Sequence, residues 1–192
     1  MTKIIRSPKG RALFAHLYTP SVYDKSNPNA KPTPKNPGKW EVNIVLDQTD
    51  PGVRDFLEEL EQICEELYQE GGGGEKHPKF MPFAPDIDKD GNETSSVRIV
   101  ARQKAGWTDD KGEFHPRTLP IVDHNIEPLK LTQEMGHGSL IKISFEPTVY
   151  RIGGLARAAF RLRAVQVLKL VTYGTSPAND FEVEEEEFEV VD

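Results

Sequence analysis

The sequence predicts a mainly β domain, a small barrel or sandwich carrying one packed helix. Three observations predict it. Stretches in which apolar residues alternate with period two recur along the chain, as half-buried strands require. A single segment, 51–70, shows helical periodicity, and it follows the second strand candidate. The resulting order, β, β, helix and then a run of β, suits a closed or stacked sheet with one helix against it. The 192 residues favour one domain with appendages over two domains. They suffice to bury a core without disulfide staples.

The first strand candidate is 11–18, where Leu13, Ala15 and Leu17 alternate with Phe14, His16 and Tyr18, so both faces carry bulk. Segment 19–39 holds Pro20, Pro28, Pro32, Pro34 and Pro37, which argue against regular structure. It also holds Lys25, Lys31, Lys35 and Lys39 against Asp24 alone, and so reads as a long basic loop. In the strand candidate 40–46, Trp40, Val42, Ile44 and Leu46 share one face. Asp50 is placed to cap the helix and Pro51 to occupy its first turn. Phe56, Leu57, Leu60, Ile63, Cys64 and Leu67 form its apolar stripe, glutamates fill the opposite face, and the glycines 71–74 end it as a hinge. Segment 77–93 is rich in turn residues, and 96–104 and 119–123 read as strands. A turn, Asp109-Asp110-Lys111-Gly112, lies between those two. Segments 139–150 and 156–172 read as long strands joined through Gly153-Gly154, a hairpin signal.

Charge is segregated. The formal net charge is −7, yet eight acids and no bases lie in 180–192, and seven acids with one arginine lie in 51–70. What remains is a body of about +7, the footprint of a protein with an anionic partner. Cys64 is the only cysteine, so neither an internal disulfide nor a zinc–thiolate cluster is expected, and a reducing compartment is. The first residues show no signal-peptide pattern and no stretch reaches membrane-spanning length, so the chain is expected to be cytoplasmic.

The basic body concentrates in strands. Arg98, Val100, Arg102 and Lys104 share one strand face, with Trp107 just beyond. Tyr150 and Arg151 precede the glycine pair, and Arg157, Arg161 and Arg163 follow it. Any one of these is also what a solvated strand face presents. As a set, with the acids placed elsewhere, they form a phosphate track with aromatic platforms, the chemistry that holds single strands. Tyr23 and Trp107 have few apolar neighbours and are the better stacking candidates, whereas Trp40 reads as core. The tail keeps Phe181 and Phe188 among Glu184, Glu185, Glu186 and Glu187. Acids with spaced aromatics can imitate a nucleic acid in the protein's own basic groove or dock on basic, apolar pockets of partners. The alternative is a solubilising tail.

No catalytic constellation emerges. Asp86-Ile87-Asp88-Lys89-Asp90-Gly91 matches the first half of a calcium loop, but its twelfth position is Val97 where a bidentate Glu is needed, so a turn is expected there. The five histidines show no metal-ligand spacing, and the glycines after the helix lack the P-loop ending. Neither metal nor cofactor is expected, and the chain does not read as an enzyme.

The opening Pro8-Lys9-Gly10-Arg11-Ala12, the strand Trp40-Glu41-Val42-Asn43-Ile44-Val45-Leu46 and the ending Phe181-Glu182-Val183-Glu184-Glu185-Glu186-Glu187-Phe188 resemble tailed-phage single-stranded DNA-binding proteins. Several such families end on an aromatic residue, whereas this chain ends on Asp192. The resemblance implies an OB-like five-stranded barrel over 1–179, with one packed helix and long loops, and an acidic tail over 180–192. It implies sequence-independent coating of single-stranded DNA in replication, recombination and repair, inside the host cell. The tail would contact replication proteins (a polymerase, a helicase-primase or a nuclease), and a second copy is a candidate partner. The DNA-binding set would be Tyr23, Lys31, Lys35, Lys39, Arg98, Arg102, Lys104, Trp107, Tyr150, Arg151, Arg157 and Arg161. The rival reading is an assembly module that works through its tail and binds no DNA.

Overall fold

The computed structural model describes residues 3–24, 26–27, 30–71, 81–152 and 155–172. Lys25, the glycines beyond Gly71, the Gly153-Gly154 pair read as a hairpin signal and the tail lie outside the described residues. In chain order the elements are β1 (Ile5–Arg6), β2 (Gly10–Ser21), β3 (Lys39–Asp47), α1 (Pro51–Glu70), β4 (Phe83–Ile87), β5 (Glu93–Lys104), β6 (Gly106–Thr108), β7 (Phe114–Pro116), β8 (Ile121–Val122), β9 (Leu140–Ile152) and β10 (Leu155–Lys169).

Five strands close a ring. β2 pairs β3, β3 pairs β5, β5 pairs β10, β10 pairs β9, and β9 returns to β2. The β5–β10 pair is parallel and the other four are antiparallel. β9 runs along nearly all of β10 but meets β2 only at Gly10 and Arg11, the stagger that closing a small barrel demands. This is the five-stranded OB-like barrel that the resemblance implies, and it decides between the barrel and the sandwich that the residue pattern left open. β1 extends the sheet beside β9, β8 beside β10, and β4 beside the first half of β5.

The alternation read from the sequence sorts the two faces. Val42, Ile44, Leu46, Ile99, Ala101, Ile141, Ile143, Phe145, Leu162 and Val165 point into the ring and are buried. Phe160 packs at a tilt against Phe145 at 4.6 Å and stacks on Phe83 of β4 at 6.3 Å, so β4 rests on the core through Phe83 although 77–93 reads as turns. Two short elements carry weak signals, β1 of two residues and β4, whose middle holds Pro85 and Asp86.

α1 starts as expected. The Asp50 carboxylate accepts the Gly52 N–H at 2.8 Å, and Pro51 occupies the first turn. Val53, Leu60, Cys64 and Tyr68 are its buried residues, and the helix packs on β9 and β10. Burial pushes the Cys64 thiol up to about 12, so it is a protonated, inert packing group. Gly71 ends the helix in a right-handed conformation and donates its N–H to the Leu67 carbonyl at 2.9 Å. Among the described residues no helix is long and apolar enough to cross a membrane.

β2 departs from the sequence reading at its far end and in its middle. It runs on to Ser21 through Pro20, a position assigned to the loop, because its ladder with β3 is interrupted by register shifts and requires no amide at that residue. At one shift Phe14 takes φ of +48°. The donors of Leu17, Tyr18 and Thr19 are satisfied by one carboxylate, Glu134, at 3.1, 3.1 and 2.8 Å. A loop far along the chain thus completes the strand's hydrogen bonding.

Candidate nucleic-acid interface

The outer face of β5 organises the surface. Val97, Ile99 and Ala101 point into the barrel, so Arg98, Val100, Arg102 and Lys104 must point out. Two grooves flank this strand. The larger, about 930 Å³, is lined by Tyr23, Lys35, Lys39, Glu41, Arg102, Lys104, Trp107 and neighbouring residues, His16 of β2 among them. The smaller, about 320 Å³, is lined by Arg98, Val100, Arg102, Tyr150, Arg157, Phe83 and Met81 among others. Arg102 lines both, so the two grooves adjoin at that residue.

Each wall of the larger groove has a local cause. The proline-rich loop returns through a turn in which Thr33 and Asn36 exchange backbone hydrogen bonds at 2.9 and 3.0 Å. Gly38 then takes φ of +74°, and a Cβ there would lie 2.7 Å from the Ser21 carbonyl. Only glycine fits that close approach, which delivers Lys35 and Lys39 to the groove. On the opposite side, β6 and β7 form a hairpin with Trp107 facing His115. The two rings stack at 5.1 Å with 23° between planes, and the Arg117 guanidinium lies 5.1 Å from the indole centre. His115 Nε2 is 3.1 Å from the Asp109 carboxylate, and that carboxyl sits below its ordinary value because of this contact and of backbone N–H groups from the turn. Trp107 remains 48% exposed and Tyr23 82%. His115 is therefore on a strand, stacked on the indole. Its ligand atom, with those of Asp109 and Glu113, falls within a 4.8 Å cluster that the scattered spacing did not reveal.

Across the strands a carboxylate flanks each side of an arginine pair. Glu41, Arg102, Arg161 and Glu146 are successive register partners on β3, β5, β10 and β9. Arg102 donates through Nε and Nη2 to the two oxygens of Glu41 at 2.6 and 3.1 Å. Its pKa rises, first through that hydrogen bond. Arg161 and Arg163 each lie 3.5 Å from one oxygen of Glu146. Tyr150 and Arg157 face each other across β9 and β10.

In overall structure the chain matches gp2.5, a single-stranded DNA-binding protein encoded by bacteriophage T7, with a TM-score of 0.63 at 23% identity over 100% of both chains. It also matches the single-stranded DNA-binding protein from bacteriophage Enc34, with a TM-score of 0.58 at 15% identity over 92% of this chain and 88% of that one. The same Enc34 protein in complex with single-stranded DNA matches with a TM-score of 0.58 at 15% identity over 86% of each chain. The chain has the fold of these phage proteins. No family model matches it, and no curated protein does.

Of the residues expected at a DNA site, the grooves bring together Tyr23, Lys35, Lys39, Arg98, Arg102, Lys104, Trp107, Tyr150 and Arg157. Three line neither groove. Lys31 sits in the loop beyond the wall, and Arg151 is engaged with the Gly71 carbonyl at the end of α1. Arg161 lies beside Arg102 but faces Glu146. Phe181, Glu184, Glu185, Glu186, Glu187 and Phe188 fall outside the described residues. Missed by sequence were His16, Glu41 and the Met81–Phe83 wall. His16 and Glu41 alternate correctly on β2 and β3, but nothing local marks them as lining a groove.

Proposed function

We propose that this chain binds single-stranded DNA without strong sequence preference, coats and protects it in phage DNA replication, recombination and repair, and catalyses no reaction. One observation carries the reading: six cations and three exposed aromatic rings line two grooves that meet at Arg102, on a barrel with the fold of phage single-stranded DNA-binding proteins. Lys35, Lys39, Arg98, Arg102, Lys104 and Arg157 neutralise phosphates, and Tyr23, Trp107 and Tyr150 stack on bases. Lys31, Arg151 and Arg161 flank the track and add phosphate contacts at its margins. The binding domain is 1–179. The tail, 180–192, competes with DNA for the basic track and contacts replication proteins through Phe181, Phe188 and Glu184 to Glu187.

The test is a salt titration of binding to labelled oligo-dT, with the full chain and the 1–179 truncation side by side. Both should bind, the truncation more tightly because a competing anion is gone. The logarithmic salt slope should be about −4 if six cations engage a single strand. Absence of binding by either form at low salt would reject the reading. The acidic tail would then be the working part, docking on a protein partner.

A further inference from the structure

Where the grooves meet, the charge pattern has an exception. The described lining residues include six cations and one acid, Glu41. A carboxylate beside the path of a polyanion repels it, so its presence there calls for a compensating role. Glu41 is the register partner of Arg102, the residue common to both grooves. Its two oxygens accept from Nε and Nη2 of Arg102 at 2.6 and 3.1 Å, a fork that fixes the plane of the guanidinium as well as its position. A guanidinium has five N–H groups, so this fork leaves further donors that Glu41 does not take. The exposures agree, since the Arg102 side chain is 54% exposed and that of Glu41 only 21%.

We infer that Glu41 is a positioning residue, holding Arg102 so that its remaining donors face a phosphate passing from one groove to the other. The inference rests on the reading that these grooves carry single-stranded DNA. An arginine on a free stem loses rotamer freedom when it grips a phosphate, and Glu41 removes that freedom beforehand. Glu41 is the less exposed of the two, so the arginine offers more of its side chain to solvent than the acid does. A resident competitor would cover the donors that the phosphate needs.

The test is anisotropy of labelled oligo-dT against salt for the full chain, with thermal melts confirming that each variant folds. Glu41→Gln removes a negative charge from the track, so Coulomb repulsion alone predicts tighter binding. The positioning role predicts the opposite, a loss of about three- to tenfold with a shallower salt slope as the Arg102 contact is weakened. Glu41→Asp keeps the charge but is too short for the fork, and it should resemble Glu41→Gln. In an Arg102→Lys background, where no fork can form, Glu41→Gln should cost nothing further. Binding of Glu41→Gln as tight as wild type or tighter overturns the inference. So does wild-type affinity in Glu41→Asp, or an undiminished loss in the Arg102→Lys background. If the wild type itself fails to bind oligo-dT, the reading of the grooves falls and this inference with it.

Discussion

Trp107 shows at the scale of one residue how exposure and order are combined. Its indole is about half exposed, yet it is stacked on His115 and approached by Arg117, and His115 is itself tied to Asp109. A ring held this way loses little freedom when a base stacks on it, the general advantage of preorganisation. Trp107→Ala should therefore weaken oligo-dT binding by roughly 1–3 kcal/mol, the usual worth of one base–aromatic stack. The loss should be similar at every salt concentration, because no phosphate contact is removed. Parallel salt titrations of variant and wild type check this, and equal affinity would take Trp107 out of the site.

Among the elements, three turns share one design. Asp88, Asp109 and Asp123 each lead a turn in which the carboxylate accepts N–H groups two and four residues on. The third residue after each aspartate takes a left-handed conformation: Gly91 at φ +87°, Gly112 at +83° and Ile126 at +68°. Isoleucine in that region is strained by its branched Cβ, and Ile126 is 73% exposed, with little packing to compensate. Ile126→Gly should raise the melting temperature, by an amount equivalent to up to about 1 kcal/mol once the extra entropy of glycine in the unfolded chain is subtracted. A lowered melting temperature would mean that the Ile126 side chain contributes packing that outweighs its strain.

For the whole molecule, the Asp88 and Asp109 turns, together with Asp24 and Asp47, set a response to acid. Asp88 is held below the ordinary carboxylate value of 3.8 chiefly by the Asn92 N–H, Asp109 chiefly by His115, Asp47 chiefly by the Thr49 N–H and Asp24 chiefly by the Ser26 hydroxyl. A carboxyl depressed in the folded state binds its proton more readily in the unfolded chain. Its contribution to stability is therefore full above its unfolded pKa and is lost as pH falls through the folded value. The melting temperature should drop as pH is lowered from about 4 towards 2. Asp88→Asn combined with Asp109→Asn should flatten that drop, and an unchanged drop would show that other carboxyls control acid unfolding.

The strands that build the barrel were legible because burial imposes a period-two pattern that survives in any fold. Val42, Ile44 and Leu46 announced β3, as the Asp50-Pro51 start and its apolar stripe announced α1. β1 and β4 were not, since two residues hold no periodicity and β4 owes its place to the edge of β5. The outward row Arg98, Arg102 and Lys104 followed from alternation alone, because the side on which a strand residue points is a local property. Which outward residues share a groove is not. Glu41 and Arg102 are 61 positions apart and Arg157 is further still, and only the register of β3, β5 and β10 brings them to one track. By itself the sequence determined the strand faces, the helix and the separation of acids from bases, each an outcome of neighbours along the chain. The closure of the ring, the meeting of two grooves at Arg102 and the pairing of that arginine with an acid were decided by tertiary structure, because they depend on which strands lie side by side.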